Sequence, residues 1–142
     1  MRHGEVVEME IPSAPEYVGI VRHAVEGIAR RMAFQPGEID DIKLAVGEAC
    51  TNAVRHGCPN GDVHNVEIRC VVLAEGLQIE ITNSILSCEH PRVPATPDLE
   101  KEGGLGLYLI RQLVDEVDLL WDTDTATIRM LKRRTTPSPV VE

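Results

Sequence analysis

Residues 45–57 run Ala45-Val46-Gly47-Glu48-Ala49-Cys50-Thr51-Asn52-Ala53-Val54-Arg55-His56-Gly57. The small apolar residues recur at three and four, continuing from Ile39 and Ile42, so a helix from about Glu38 is predicted. Gly57 and Pro59 end it. Glu48, Asn52 and His56 are spaced by four and stack along one stripe of that helix. With Glu48 at zero on the helical wheel, Asn52 falls at about 40° and His56 at about 80°. The apolar set (Ile39, Ile42, Ala45, Val46, Ala49, Ala53) spans about 60° to 180°. The three polar side chains therefore sit on the margin of the buried face, where each needs a polar partner or a ligand. Boundary residues satisfied by neighbours or water fit the stripe, and so does a ligand site. The residue types suit a nucleotide. An amide oxygen is a hard, neutral ligand for Mg²⁺, and a carboxylate one turn earlier can accept a proton from an attacking hydroxyl.

On the N-terminal side, residues 6–11 alternate weakly before Pro12 and read as a short strand. Ser13-Ala14-Pro15-Glu16 has the form of a capping box. Val18, Val21, Val25, Ile28 and Met32 then mark an amphipathic helix, which Pro36-Gly37 breaks. On the C-terminal side the period changes to two. Val66, Ile68, Cys70 and Val72, then Leu77, Ile79 and Ile81, alternate with polar residues around a turn at Ala74-Glu75-Gly76, which is a hairpin. Residues 84–102 have no periodicity and carry Pro91, Pro94 and Pro97, as expected of a lid or binding loop. A third helix is predicted over residues 105–116. A closing hairpin follows over 117–121 and 125–131, and residues 133–142 read as a frayed tail. The order β-α-α-β-β-lid-α-β-β implies one domain over residues 1–132. It is a two-layer α/β sandwich with a mainly antiparallel sheet and three main helices.

Gly103-Gly104-Leu105-Gly106-Leu107 opens the third helix directly after the lid. Glycines let backbone approach phosphates, and a helix N-terminus supplies free N–H groups and the positive dipole end. A flexible hinge would need the same residues.

Taken together, residues 45–57 and 103–107 resemble the N box and second glycine box of the GHKL (Bergerat-type) ATPase superfamily. Within it, the chain is most similar to the small bacterial anti-sigma-factor serine kinases. The resemblance implies that Glu48 is the general base, that Asn52 binds Mg²⁺, and that His56 belongs to the same box. It further implies that Gly103, Gly104, Leu105, Gly106 and Leu107 close over the phosphates of ATP. The family's Asp-x-Gly-x-Gly motif, whose Asp binds the adenine amino group, is replaced here by Asn83-Ser84-Ile85-Leu86-Ser87. Asn83 keeps a side-chain acceptor without the charge. Thr127, on the last strand, stands near a family position that assists the adenine contact. The implied function is an ATP- and Mg²⁺-dependent kinase that phosphorylates a serine or threonine of an anti-sigma antagonist (anti-anti-sigma) protein and sequesters a sigma factor, as a homodimer. The alternative is a non-catalytic binding module on the same fold, with ATP binding weakened by the altered adenine loop. The ATPase domain of a sensor histidine kinase fits less well, since about a dozen residues precede the first helix.

Composition narrows the function classes. The chain has 142 residues, 43% of them hydrophobic, and a formal net charge of −9. That charge repels phosphate backbones and anionic lipid, which argues against direct nucleic-acid or membrane binding. No apolar stretch reaches the roughly 18 residues of a membrane span, and the N-terminus lacks a signal-peptide layout, so a cytoplasmic protein is expected. Cys50, Cys58, Cys70 and Cys88 form no C-x-x-C pair and read as reduced thiols. Cys58 with His64, or Cys88 with His90, falls short of a zinc site. Arg92 and Lys101 are candidate γ-phosphate contacts or, equally, solvated charges.

Overall fold

A computed structural model of the chain describes residues 1–55, 65–84, 104–122 and 124–135. Strand β1 (Val6–Pro12) leads through a 3-10 turn (Pro15–Tyr17) into helix α1 (Val18–Arg31) and then α2 (Pro36–Arg55). Strands β2 (Asn65–Val72) and β3 (Gly76–Ser84) precede α3 (Gly104–Leu113), and β4 (Glu116–Trp121) and β5 (Thr125–Arg133) close the fold. The five strands form one antiparallel sheet in the order β1-β2-β3-β5-β4. The α/β sandwich expected from the sequence is therefore present, with three helices against five strands.

The two-residue alternation of the strands places the core on one side of the sheet. Val66, Ile68, Cys70 and Val72 of β2 and Leu77, Ile79 and Ile81 of β3 are all buried there. They meet Val21, Val25 and Ile28 of α1, Ile42, Val46 and Ala49 of α2, and Ile110 of α3 in a single cluster. The opposite face is polar. One row across it reads Glu8, Arg69, Glu80, Arg129 and Asp118, alternating in sign from strand to strand. Within that row Arg69 pairs with Glu80 at 2.9 Å and Arg129 with Asp118 at 3.4 Å. Opposite charges facing each other across strands stabilise a sheet modestly.

Four local expectations change. Ser13 does not cap α1. Ala14 precedes the 3-10 turn in an extended conformation with no side-chain cap, and Pro15 takes the first turn position. Pro36 and Gly37, expected as a break, instead open α2. Proline suits the first helical position, and Glu38 reaches back to accept the Gln35 N–H at 2.7 Å, half of a capping box. The ordered chain also runs past the expected tail boundary at residue 133. Arg133 ends β5, and Arg134 donates to the carbonyls of Met32 (2.8 Å) and Ala74 (3.0 Å), while the Thr135 N–H donates to Glu38. The third helix ends at Leu113 and not at residue 116, so that Glu116 starts β4.

Two backbone positions carry real constraint. Ala33 has φ 61°, and Phe34 N–H bonds Ala29 O while Ala33 N–H bonds Arg30 O. This is a Schellman ending with alanine where glycine is usual, at a cost of roughly 1–2 kcal/mol. Gly76 leaves the β2–β3 turn so close to β5 that a methyl group there would lie 2.0 Å from the Lys132 carbonyl oxygen. Only glycine allows that approach.

Candidate functional site

Helix α2 lies between α1 and α3 and packs across β3. Ile39, Ile42, Ala45, Val46, Ala49, Cys50 and Ala53 face the core, which turns Glu48 and Asn52 to a half-buried margin. Their stripe points at α3. A methyl group on Gly106 would stand 3.2 Å from Glu48 Oε2, 3.2 Å from Asn52 Nδ2 and 3.6 Å from Asn52 Oδ1. Asn52 and Gly106, 54 residues apart in sequence, thus converge with Glu48 on one corner. Its walls are a carboxylate, a carboxamide and a glycine without a side chain to fill the space. Leu107, next in α3, is buried and anchors the helix, as is Ile110. Lys132 fixes the other end of α3. Its Nζ donates to the Leu113 carbonyl at 2.8 Å and pairs with Asp41 of α2 at 3.3 Å. A cation on the last carbonyls of a helix complements its dipole.

Gly104 and Leu105 form the first turn of α3 in the backbone. Ser84, where the lid was expected to begin, ends β3, while His56, Gly103 and residues 85–102 of the expected lid lie outside the described residues, as do Cys58, His64, Cys88, His90, Arg92 and Lys101.

Asn83 is the last inward-facing residue described on β3, following Ile81, Ile79 and Leu77. It is 7% exposed, and among the described residues it is the buried polar side chain of the core. Its Nδ2 is shut off from solvent and has no hydrogen-bond partner among the described residues. Leaving such a donor unpaired costs roughly 1–3 kcal/mol, a cost a ligand acceptor would remove. Thr127 does not join it. Thr127 pairs with Thr82 across β3 and β5, and the two hydroxyl oxygens are 2.8 Å apart on the polar face of the sheet. The residue opposite Asn83 on the helix side is Ala126. A shift of one position along a strand moves a side chain to the other face, so the expected adenine contact from Thr127 is corrected.

A further feature escaped the sequence reading. A groove of about 490 Å³ runs between α1 and α2, lined by Val18, Arg22, Leu44, Gly47, Arg55 and Glu48 itself. Arg22 lies over Gly47, whose missing side chain leaves 3.1 Å between a methyl position and Arg22 Cδ. The small residue beside Glu48 was the available signal. Cys50 and Cys70 are free and buried, and burial pushes both thiols up to about 12. Neither forms a thiolate near neutrality, so they serve as core packing and not as ligands or nucleophiles. Among the described residues no group of His, Cys, Asp and Glu could hold a metal by itself. No described helix is long and apolar enough to cross a membrane.

The sequence profile of the histidine kinase-like ATPase domain matches residues 11–132. That span holds both α2 and α3 with the corner between them. The chain belongs to the histidine kinase-like ATPase domain family. Serine-protein kinase RsbW of Bacillus subtilis (strain 168) is 40% identical over 124 residues, which are 81% of this chain and 78% of that protein. The RsbW of Bacillus licheniformis is 39% identical over 140 residues, 92% of this chain and 87% of that one. In fold, the chain is similar to a crystal structure of RsbU and RsbW domains from Mycobacterium tuberculosis, with a TM-score of 0.70 at 16% identity. That likeness covers 97% of this chain and 35% of the solved one. A histidine kinase domain from Erythrobacter litoralis is similar with a TM-score of 0.55 at 24% identity, covering 88% and 62%.

Proposed function

We propose that this protein is an ATP-dependent serine/threonine protein kinase that phosphorylates an anti-sigma antagonist and, as a cytoplasmic homodimer, sequesters a sigma factor. The observation that carries this reading is the close approach of Gly106 to Glu48 and Asn52, which brings the polar stripe of α2 against the start of α3. The name serine-protein kinase, borne by relatives about 40% identical to this chain, supports it.

The donor set fits ATP with Mg²⁺. Asn52 offers a neutral amide oxygen, the kind of ligand Mg²⁺ takes beside waters and phosphate oxygens. The first turn of α3, Gly104-Leu105-Gly106, presents unpaired backbone N–H groups where no Cβ at residue 106 blocks approach. When bound, ATP supplies the phosphoryl group and Mg²⁺ neutralises the charge on its phosphates. The protein's own residues position and deprotonate. Asn52 would hold the metal, the α3 N-terminus would orient the phosphates, and Glu48 Oε2 would take the proton of the acceptor hydroxyl. The groove between α1 and α2 reaches Glu48 from the side away from α3. It gives a protein substrate an approach to that carboxylate, past the cations Arg22 and Arg55.

Titration of the protein with ATP, with and without Mg²⁺, followed by assay of phosphate transfer to a cognate antagonist protein, tests the reading. Saturable, Mg²⁺-dependent binding with transfer to a serine or threonine is expected. Absence of saturable binding would refute the kinase and leave a protein-binding module on this fold.

Gly106→Ala separates site from scaffold. Glycine within a helix is less favourable than alanine by about 0.5–1 kcal/mol, a gain that the tight contact of the new methyl group offsets, so the variant should fold and melt close to the parent. The new methyl group would occupy the corner 3.2 Å from Glu48 and Asn52. Affinity for Mg²⁺-ATP should fall roughly tenfold, about 1.4 kcal/mol. Calorimetry on one sample reads both, and an unchanged affinity would show that the clearance has no part in nucleotide binding.

A further inference from the structure

Asn83 is an unusual core residue. Its carboxamide is 7% exposed among aliphatic side chains, and its Nδ2 donor is solvent-excluded and unpartnered. Val66 on β2 and Ala126 on β5, its two cross-strand neighbours, carry no side-chain acceptor. A donor kept in such a place is satisfied when a ligand brings the acceptor. Asn83 lies on the helix side of β3, the strand that α2 packs across, and α2 carries Glu48 and Asn52. If that corner holds the phosphates, the base of the same nucleotide is the ligand group available to Asn83.

We infer that Asn83 reads the Watson–Crick edge of a purine with relaxed discrimination, so that a 6-oxopurine triphosphate is accepted alongside ATP. The inference rests on the nucleotide site proposed above and concerns its base specificity. The argument is one of donor and acceptor count. A carboxylate at this position only accepts hydrogen bonds, so on either purine edge it pairs with one group and is repelled by its neighbour. A carboxamide has one face of each kind. Toward adenine, Oδ1 accepts from the 6-amino group while Nδ2 donates to ring N1. Toward guanine or hypoxanthine the amide turns over, Nδ2 donates to O6, and Oδ1 accepts from N1–H. Both arrangements use two in-plane bonds, and both satisfy the orphaned donor. A bidentate pair of this kind discriminates between bases by roughly 10- to 100-fold where only one orientation is possible. With both orientations possible, that discrimination is lost.

The test compares ATP, GTP and ITP binding, each with Mg²⁺, to the wild-type protein and to Asn83→Asp. ITP carries the 6-oxo edge without the 2-amino group, so it reads the edge even if the 2-amino group of GTP meets a wall. In wild type, GTP or ITP should bind within about tenfold of ATP, and Asn83→Asp, which keeps one of the two bonds to either edge, should weaken ATP and ITP alike by roughly 10- to 100-fold. Wild-type preference for ATP over both oxopurines by 100-fold or more would overturn the inference and leave the ATP site standing. So would an affinity for ATP and ITP that Asn83→Asp does not lower. If no nucleotide binds saturably, the nucleotide site and the inference fall together. The wild-type ratio decides the matter even should the buried carboxylate of Asn83→Asp impair folding.

Discussion

Glu48→Gln is expected to slow phosphate transfer to the protein substrate by about 10²- to 10⁴-fold while leaving ATP affinity nearly unchanged. Glutamine keeps the length and shape of glutamate, so the corner against Gly106 stays filled as before. It removes the one group there able to take a proton from the attacking hydroxyl. It also removes a negative charge from beside the phosphates, so affinity should hold or rise slightly. The two effects must therefore separate: a fall in the single-turnover rate constant, and a dissociation constant within about threefold of wild type. Because Glu48 is half-buried at a helix margin, with no hydrogen bond among the described residues that the substitution would orphan, folding should survive. Transfer at the wild-type rate would remove Glu48 from the role of base. Loss of binding together with transfer would instead mark it as a ligand-holding residue.

How much of this was legible beforehand follows from the range of each interaction. The strands announced themselves because one face is buried and the other wet, as with Val66, Ile68, Cys70 and Val72 between Glu67 and Arg69. The helical stripe Glu48-Asn52 was equally legible, since spacing by four fixes a shared face whatever else the chain does. Helix starts were less so. Ser13 with Glu16 matched a capping pattern, yet Pro15 entered a 3-10 turn. Pro36-Gly37 matched a break, yet proline belongs at the first position of α2 when Glu38 supplies the cap. Thr127 failed on parity alone. Its face depends on the pairing Thr82↔Thr127 between β3 and β5, a long-range register that no local pattern encodes. The close approach at Gly106 was hidden for the same reason. A glycine at a helix start is ambiguous until a distant helix is seen to press two polar side chains against it. Asn83 was visible as a departure from a motif, but not as a buried donor without an acceptor.

Asn52→Ala should abolish the Mg²⁺ dependence of ATP binding and weaken it by roughly 100-fold, about 2.7 kcal/mol. Asn52 lies one turn beyond Glu48, and both carboxamide atoms are within 3.6 Å of the methyl position at Gly106. It is thus the neutral oxygen donor nearest the start of α3, where the phosphates would lie. Without it, Glu48 is the remaining side chain of the pair. A carboxylate held to bind metal cannot also serve as a free base. The variant should therefore lose transfer even at saturating nucleotide, which distinguishes a metal-holding role from a merely structural one. Alanine is a better helix former than asparagine, so thermal stability should be unchanged or slightly higher. Asn52→Asp gives the opposite control. It restores an oxygen ligand and adds a second carboxylate one turn from Glu48. Like charges at that spacing disfavour each other in the empty site and are relieved by a divalent cation. Mg²⁺ should then stabilise Asn52→Asp against heating more than it stabilises wild type, and should not stabilise Asn52→Ala. Melting curves with and without Mg²⁺ and ATP across the three proteins give the order directly. If Asn52→Ala retains a Mg²⁺-dependent shift as large as wild type, the metal is held elsewhere and the corner at Gly106 is not its seat.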